Sequence, residues 1–194
     1  MRSKGIKIFL FIILFALLSA GVYFSIGRKA IGKEIGKEVD SYKNVVVYYN
    51  GTDYAKAYGK NYSEDGYYYG QKWQCVEYIK RFYYQAKQHK MPDVFGNASD
   101  FFDSNVKQGG LNKRRNLVQY MNGGNVKPKP DDLIVFTDTK FGHVVIVTEV
   151  TDNYVEVIQQ NVYGKTRDKY DLIVKDGQYY VGTKRKPAGW LRKE

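Results

Sequence analysis

A single cysteine in 194 residues forbids an intrachain disulfide. With only two histidines beside it, the chain also lacks the four Cys/His ligands of a structural zinc site. There is no internal repeat and no low-complexity block. Positive charge is scattered and no nucleic-acid-binding motif appears, so nucleic acid is not expected as a partner. These scarcities narrow any chemistry. A thiol nucleophile can only be Cys75, and an imidazole base can only be His89 or His143.

Against those absences stand 43% hydrophobic residues and 16% aromatics, 19 of them tyrosines, a composition too apolar for a disordered chain. After a short basic N-terminus (residues 1–7), residues 8–26 (IFLFIILFALLSAGVYFSI) run without a charge. About 20 apolar residues span a bilayer core, so this run is expected to be a transmembrane anchor, with a cleaved secretory signal as the alternative. No cysteine follows it, which excludes a lipoprotein. Residues 27–40 read as a charged stalk, and residues 41–194 have the length of one domain. The first 40 residues carry four of the eleven net positive charges, leaving seven on the domain. A basic exported domain suits an anionic surface such as wall polymer.

Within the domain, residues 45–49 read as a strand closed by the turn pair Asn50-Gly51. Residues 71–88 read as a helix, with Val76, Ile79, Phe82, Tyr83 and Ala86 on its core face. Residues 100–106 and 115–121 are expected to be short helices. Strands follow at 133–137, 144–150, 154–158, 170–174 and 179–183, with turns at 151–153 and 176–177. Helices first and an antiparallel sheet afterwards predict an α+β fold.

Cys75 falls near the predicted helix start, where unpaired N–H groups and the helix dipole lower a thiol pKa and can bind an oxyanion. His143 follows Gly142 at the mouth of an apolar strand, whereas His89 reads as a solvated residue at a helix end. A three-residue loop at 151–153 would pair Val150 with Tyr154, Val145 with Gln159 and His143 with Asn161. His143, Gln159 and Asn161 would then share one face. The set reads as Cys–His–amide, an arrangement for thiol hydrolysis. Asn161, directly opposite, is expected to orient His143 through Nδ1, with Gln159 as second support. Tyr69 is a candidate oxyanion donor beside the Cys75 amide. Tyr67, Tyr68 and Tyr69 either stack on sugar rings or pack at the foot of the helix.

Four strings, Lys72-Trp73-Gln74-Cys75-Val76-Glu77, Pro130-Asp131-Asp132-Leu133-Ile134-Val135-Phe136, Gly142-His143-Val144-Val145-Ile146-Val147 and Ile158-Gln159-Gln160-Asn161, resemble the CHAP domain (cysteine, histidine-dependent amidohydrolases/peptidases) over about residues 45–192. The resemblance implies a papain-like fold related to the NlpC/P60 hydrolases, with helices carrying the cysteine packed on an antiparallel sheet. It implies Cys75 as nucleophile and His143 as base, and no metal or cofactor. Gln159 stands where many members carry Glu. Family members cleave amide bonds in peptidoglycan, and a cytoplasmic branch, whose Trp-Gln-Cys-Val-Glu string is especially similar, hydrolyses glutathionylspermidine. The expectation is an exported, membrane-anchored amidohydrolase acting on peptidoglycan, with its C-terminal domain outside the cytoplasm. The alternatives are a glutathionylspermidine-type amidase and a catalytically weak wall-binding module.

Overall fold

The computed structural model describes residues 34–194. The apolar run 8–26, expected to be an anchor, lies outside the described residues. Among the described residues no helix is long and apolar enough to cross a membrane. Residues Ile35–Glu194 form one compact unit.

The expected sequence of helices followed by a sheet is not what the chain adopts. Among the described residues there is one α-helix, α1 (Cys75–Lys87), and one short 3-10 turn (Ala98–Phe101); the fold is otherwise built from strands. β1 (Glu38–Tyr42) and β2 (Val45–Tyr48) make one hairpin, and β3 (Lys60–Tyr62) and β4 (Tyr68–Gln71) another. The remaining strands are β5 (Gly110–Asn112), β6 (Leu117–Met121), β7 (Leu133–Phe136), β8 (His143–Val150), β9 (Tyr154–Ile158), β10 (Arg167–Lys175), β11 (Gln178–Val181) and β12 (Gly189–Arg192). They form an eight-stranded sheet in the order β11-β10-β9-β8-β7-β12-β6-β5.

Every residue of β7 and β12, and the first five of β8, are buried, because both faces of the sheet are covered. Alternate side chains serve opposite cores. Leu133, Val135, Val144 and Ile146 pack with Ile79, Phe82 and Tyr83 of α1. Ile134, Phe136, Val145 and Val147 pack on the other side with Val157, Leu172 and Trp190. The sheet curls to close this second core: Gly124 bridges Tyr179, and the Asn122 side chain bonds both the N–H and the carbonyl of Val181.

Four local expectations need correction. Residues 100–106 hold no α-helix: the 3-10 turn ends at Phe101, Phe102 is extended and Asp103–Val106 is a turn. Residues 115–121 are not helical. Asn116 turns the chain at φ 52°, and Leu117–Met121 pairs with β12, so Tyr120 faces Trp190 and Gln119 faces Leu191. The partner strand lies some 70 residues downstream, and local periodicity cannot register it. The segment read as a stalk is strand from Glu38 onward, and its hairpin turns at Lys43-Asn44, both at positive φ as a type I′ turn requires, rather than at Asn50-Gly51. Finally, α1 starts at Cys75 instead of residue 71, because residues 68–71 are strand. Gly70, at φ 142°, carries that strand across the helix start, where a Cβ would stand 3.2 Å from the Glu77 backbone nitrogen.

Candidate active site

The late helix start makes Cys75 the first helical residue, with Gln74 as an N-cap whose side chain makes no capping bond. The first-turn N–H groups therefore lack intrahelical acceptors. Those of Cys75 and Val76 face the sulfur, as does the N–H of Val144 from β8. Their effect is to lower the thiol pKa, but burial acts more strongly and pushes it up to about 11. The depressed pKa expected from the helix start alone is thus overturned, since desolvation of a thiolate here outweighs the dipole.

His143 opens β8 after Gly142, whose φ of 69° and lack of a Cβ let the chain pass Ser99; a Cβ would lie 2.5 Å from the Ser99 nitrogen. The ring is buried, and that burial lowers its pKa to about 4, opposed by its bond to Gln159. Gln159 Oε1 lies 2.9 Å from His143 Nε2. The Gln159 amide nitrogen donates to the Lys165 carbonyl at 3.4 Å, so its oxygen faces the ring and Nε2–H is the donor. Nδ1 then carries the lone pair. The ring is held through Nε2, not through Nδ1 as expected.

The hairpin register explains which amide reaches the ring. Near the turn, Val150 pairs with Val155, one residue off the expected pairing. A bulge between Val147 and Glu149 restores it, so Val147 pairs with Val157 and Ile146 with Ile158. Gln159 consequently shares the His143 face. Asn161 does not: β9 ends at Ile158, and Asn161 sits at φ 67°, off the strand. Its amide nitrogen donates to the Tyr54 carbonyl and to Gln74 Oε1, and its oxygen accepts from Asn50 Nδ2. In the structure it ties the 50–56 loop to the helix start, and Gln159 is the amide bonded to the ring.

Gln160, between them, has a third set of partners. Its nitrogen donates to Glu77 Oε2 at 2.7 Å and to the Gln74 carbonyl at 3.0 Å, and its oxygen accepts from the Tyr48 N–H. Glu77 is fully buried and pairs with Arg81, Nε to Oε1 at 2.6 Å, and accepts from Asn61. The Gln-Gln-Asn string therefore addresses the imidazole, the helix carboxylate and the helix cap in turn, and it locks to the Gln-Cys-Val-Glu string. No sequence periodicity marks Glu77 or Gln160 as partners; both fall within the strings that resemble the CHAP domain.

Cys75 and His143 line one cavity of about 670 Å³. Tyr54, Phe95 and Phe141 are exposed on its lining, and Lys80 and Lys140 are its cationic members. Among the described residues no carboxylate lines it. Tyr69 does not reach it. Its ring is buried between Tyr67 and Tyr84, at 5.8 and 5.5 Å, and burial raises its hydroxyl pKa to about 12. Of the three tyrosines, Tyr68 faces the cavity, while Tyr67 stacks on Tyr84 beside the helix. His89 is buried rather than solvated: Nε2 meets the Arg115 carbonyl at 2.9 Å, and its ring packs against Tyr83. Among the described residues no group of three or more His, Cys, Asp or Glu is placed to hold a metal.

The model of the CHAP domain family matches residues 65–161, which include Cys75, His143 and the Gln-Gln-Asn string. The chain is 34% identical over 106 residues to trypanothione synthetase of Crithidia fasciculata, covering 53% of this chain and 16% of that protein. It is 30% identical over 135 residues to the bifunctional glutathionylspermidine synthetase/amidase of Escherichia coli (strain K12), covering 62% of this chain and 21% of that one; the Shigella flexneri protein of the same name matches equally. The chain thus spans about a fifth or less of the length of these relatives.

Proposed function

The chain belongs to the CHAP domain family, and on that premise we propose that it is a thiol-dependent amidohydrolase in which Cys75 is the nucleophile and His143 the base. The observation that carries the reading is the placement of Cys75 and His143 on one cavity, with Nε2 of the ring engaged by Gln159 and Nδ1 left with its lone pair. With the thiol pKa near 11 and the imidazole near 4, both groups rest neutral at pH 7. The thiol proton passes to Nδ1 as sulfur bonds to the carbonyl carbon. The oxyanion meets the N–H groups at the start of α1. The imidazolium then protonates the departing nitrogen as the C–N bond breaks, leaving a thioester. Water, deprotonated by His143, cleaves the thioester to a carboxylic acid and the free thiol.

The substrate we favour is the peptide part of peptidoglycan. Two features support it: an apolar N-terminal run suited to export, and a cavity lined, among the described residues, by two lysines and no carboxylate, which suits an anionic peptide better than a polyamine. The names of the relatives favour a second reading, hydrolysis of a glutathionylspermidine-type amide. Mass spectrometry after incubating the full chain with purified muropeptides, and separately with glutathionylspermidine, decides between them. The expected outcome is a cleaved muropeptide amide, lost in Cys75→Ala. Turnover of glutathionylspermidine alone would replace the substrate, and turnover of neither would refute the amidohydrolase reading. Export is tested by an alkaline phosphatase fusion after residue 33: an active fusion places the domain outside, and an inactive one contradicts it.

A further inference from the structure

Lys80 is 1% exposed, yet it lines the catalytic cavity. A buried ammonium is costly unless it is paired or hydrogen-bonded. Its Nζ donates to the Val94 carbonyl at 2.5 Å and stands 4.8 Å from the centre of the Tyr68 ring. Among the described residues no carboxylate forms an ion pair with it. An ammonium has three donors, and the Val94 carbonyl engages one. The charged groups around it do not neutralise it: Glu77 is bonded to Arg81, Asp93 to Arg114, and the Arg115 guanidinium adds further positive charge. Neither catalysis nor the Glu77 network uses this cation.

We propose that Lys80 is the anion-binding residue of the cavity and takes a carboxylate of the substrate displaced from the scissile amide. This deepens the amidohydrolase reading of the same cavity and rests on it. Lys80 lies five residues beyond Cys75 on α1 and lines the same cavity, so the carboxylate recognised is one displaced from the bond cut. Tyr68 stands beside the ammonium on the cavity lining, with Phe95 packed on its ring at 6.1 Å. The burial of Lys80 keeps water from its head group and would strengthen such an ion pair.

Burial and the neighbouring Arg115 lower the Lys80 pKa to about 8, with Asp93 and Glu77 acting in the opposite direction. The charge is therefore present below pH 8 and is lost as pH rises through that value. Anion affinity should fall over the same range.

The test measures calorimetric affinities of N-acetyl-glycylglycine and its C-terminal amide for full-length Cys75→Ser, where hydrolysis cannot intrude. The acid should bind about tenfold more tightly than the amide at pH 6.5, as expected for a hydrogen bond to a charged partner. The preference should shrink towards pH 9.5, vanish when Lys80→Met is added and persist in Lys80→Arg. Survival in Lys80→Met, or no preference when Lys80 is intact, overturns the assignment. An intact preference in a protein whose wild type cleaves no amide would refute the amidohydrolase reading and leave the anion site standing.

Discussion

The two sides of the site hold Cys75 and His143 by opposite means. Cys75 stands at a helix start tied down by polar groups: Glu77 paired with Arg81, Gln160 bridging Glu77 to the Gln74 carbonyl, and Asn161 on the Gln74 side chain. His143 stands at the mouth of a strand whose next four residues are fully buried and apolar, with one amide, Gln159, on the ring. On the cysteine side a single lost partner leaves a buried charge exposed to its full desolvation cost. On the histidine side positioning is spread over many apolar contacts, and loss of one is felt weakly. Stability should accordingly be brittle at the helix and forgiving at the strand, and turnover should be sensitive on both sides.

The largest expected effect is on turnover. Cys75→Ala should abolish amide hydrolysis, and His143→Ala should lower it by about 10²–10⁴-fold. Full activity in either variant would remove the nucleophile or base assignment. Next comes Glu77→Ala, which strands Arg81 in the interior and should cost about 3–5 kcal/mol in urea unfolding. A cost below that of an ordinary surface change would erase the contrast between the two sides. Gln159→Ala should lower turnover by about tenfold and also cost stability, because the buried His143 Nε2–H loses its acceptor. Asn161→Ala should cost about 1–3 kcal/mol through the unsatisfied amide of Asn50 and the freed loop, with turnover largely kept. If Asn161→Ala instead depresses turnover in a fully stable protein, the orienting roles are exchanged. Ile146→Val on the apolar strand is the mildest change, at about 0.5–1.5 kcal/mol.

The two sides also differ in how legible they were. The strands β7 to β11 and their turns follow from apolar runs broken by Asp, Asn and Gly, because local pattern and tertiary partner agree there. The pairing of His143 with Gln159 was within reach of a loop-length argument, although a bulge, not the loop, restores the register. The fold class was not legible. Leu117–Met121 has an ambiguous period and is decided by β12 at the C-terminus. Asn161 could not be placed because its positive φ takes it off a face that alternation assigns to it. The thiol pKa was misjudged for a related reason: the helix start is visible in sequence, while the burial that outweighs it belongs to the tertiary fold.

That burial sets the pH behaviour. Alkylation of Cys75 by iodoacetamide should keep accelerating above pH 9 towards the thiol pKa near 11, since the thiolate is the reactive form. A plateau near neutrality would mean that a thiolate–imidazolium pair is already formed at rest.

The proposed reaction depends on a neutral His143 held through Nε2 by Gln159, and NMR titration of its ring protons measures this. Replacing His89 by Gln leaves His143 as the sole histidine signal. The ring should titrate near pH 4, well below an ordinary histidine, because burial disfavours the imidazolium. In Gln159→Glu the carboxylate beside the ring should raise that midpoint clearly, and the acid limb of turnover should move up with it. A midpoint near the ordinary value of 6.5 in the parent, or one that does not move in Gln159→Glu, would show that His143 is not a buried neutral base held by Gln159.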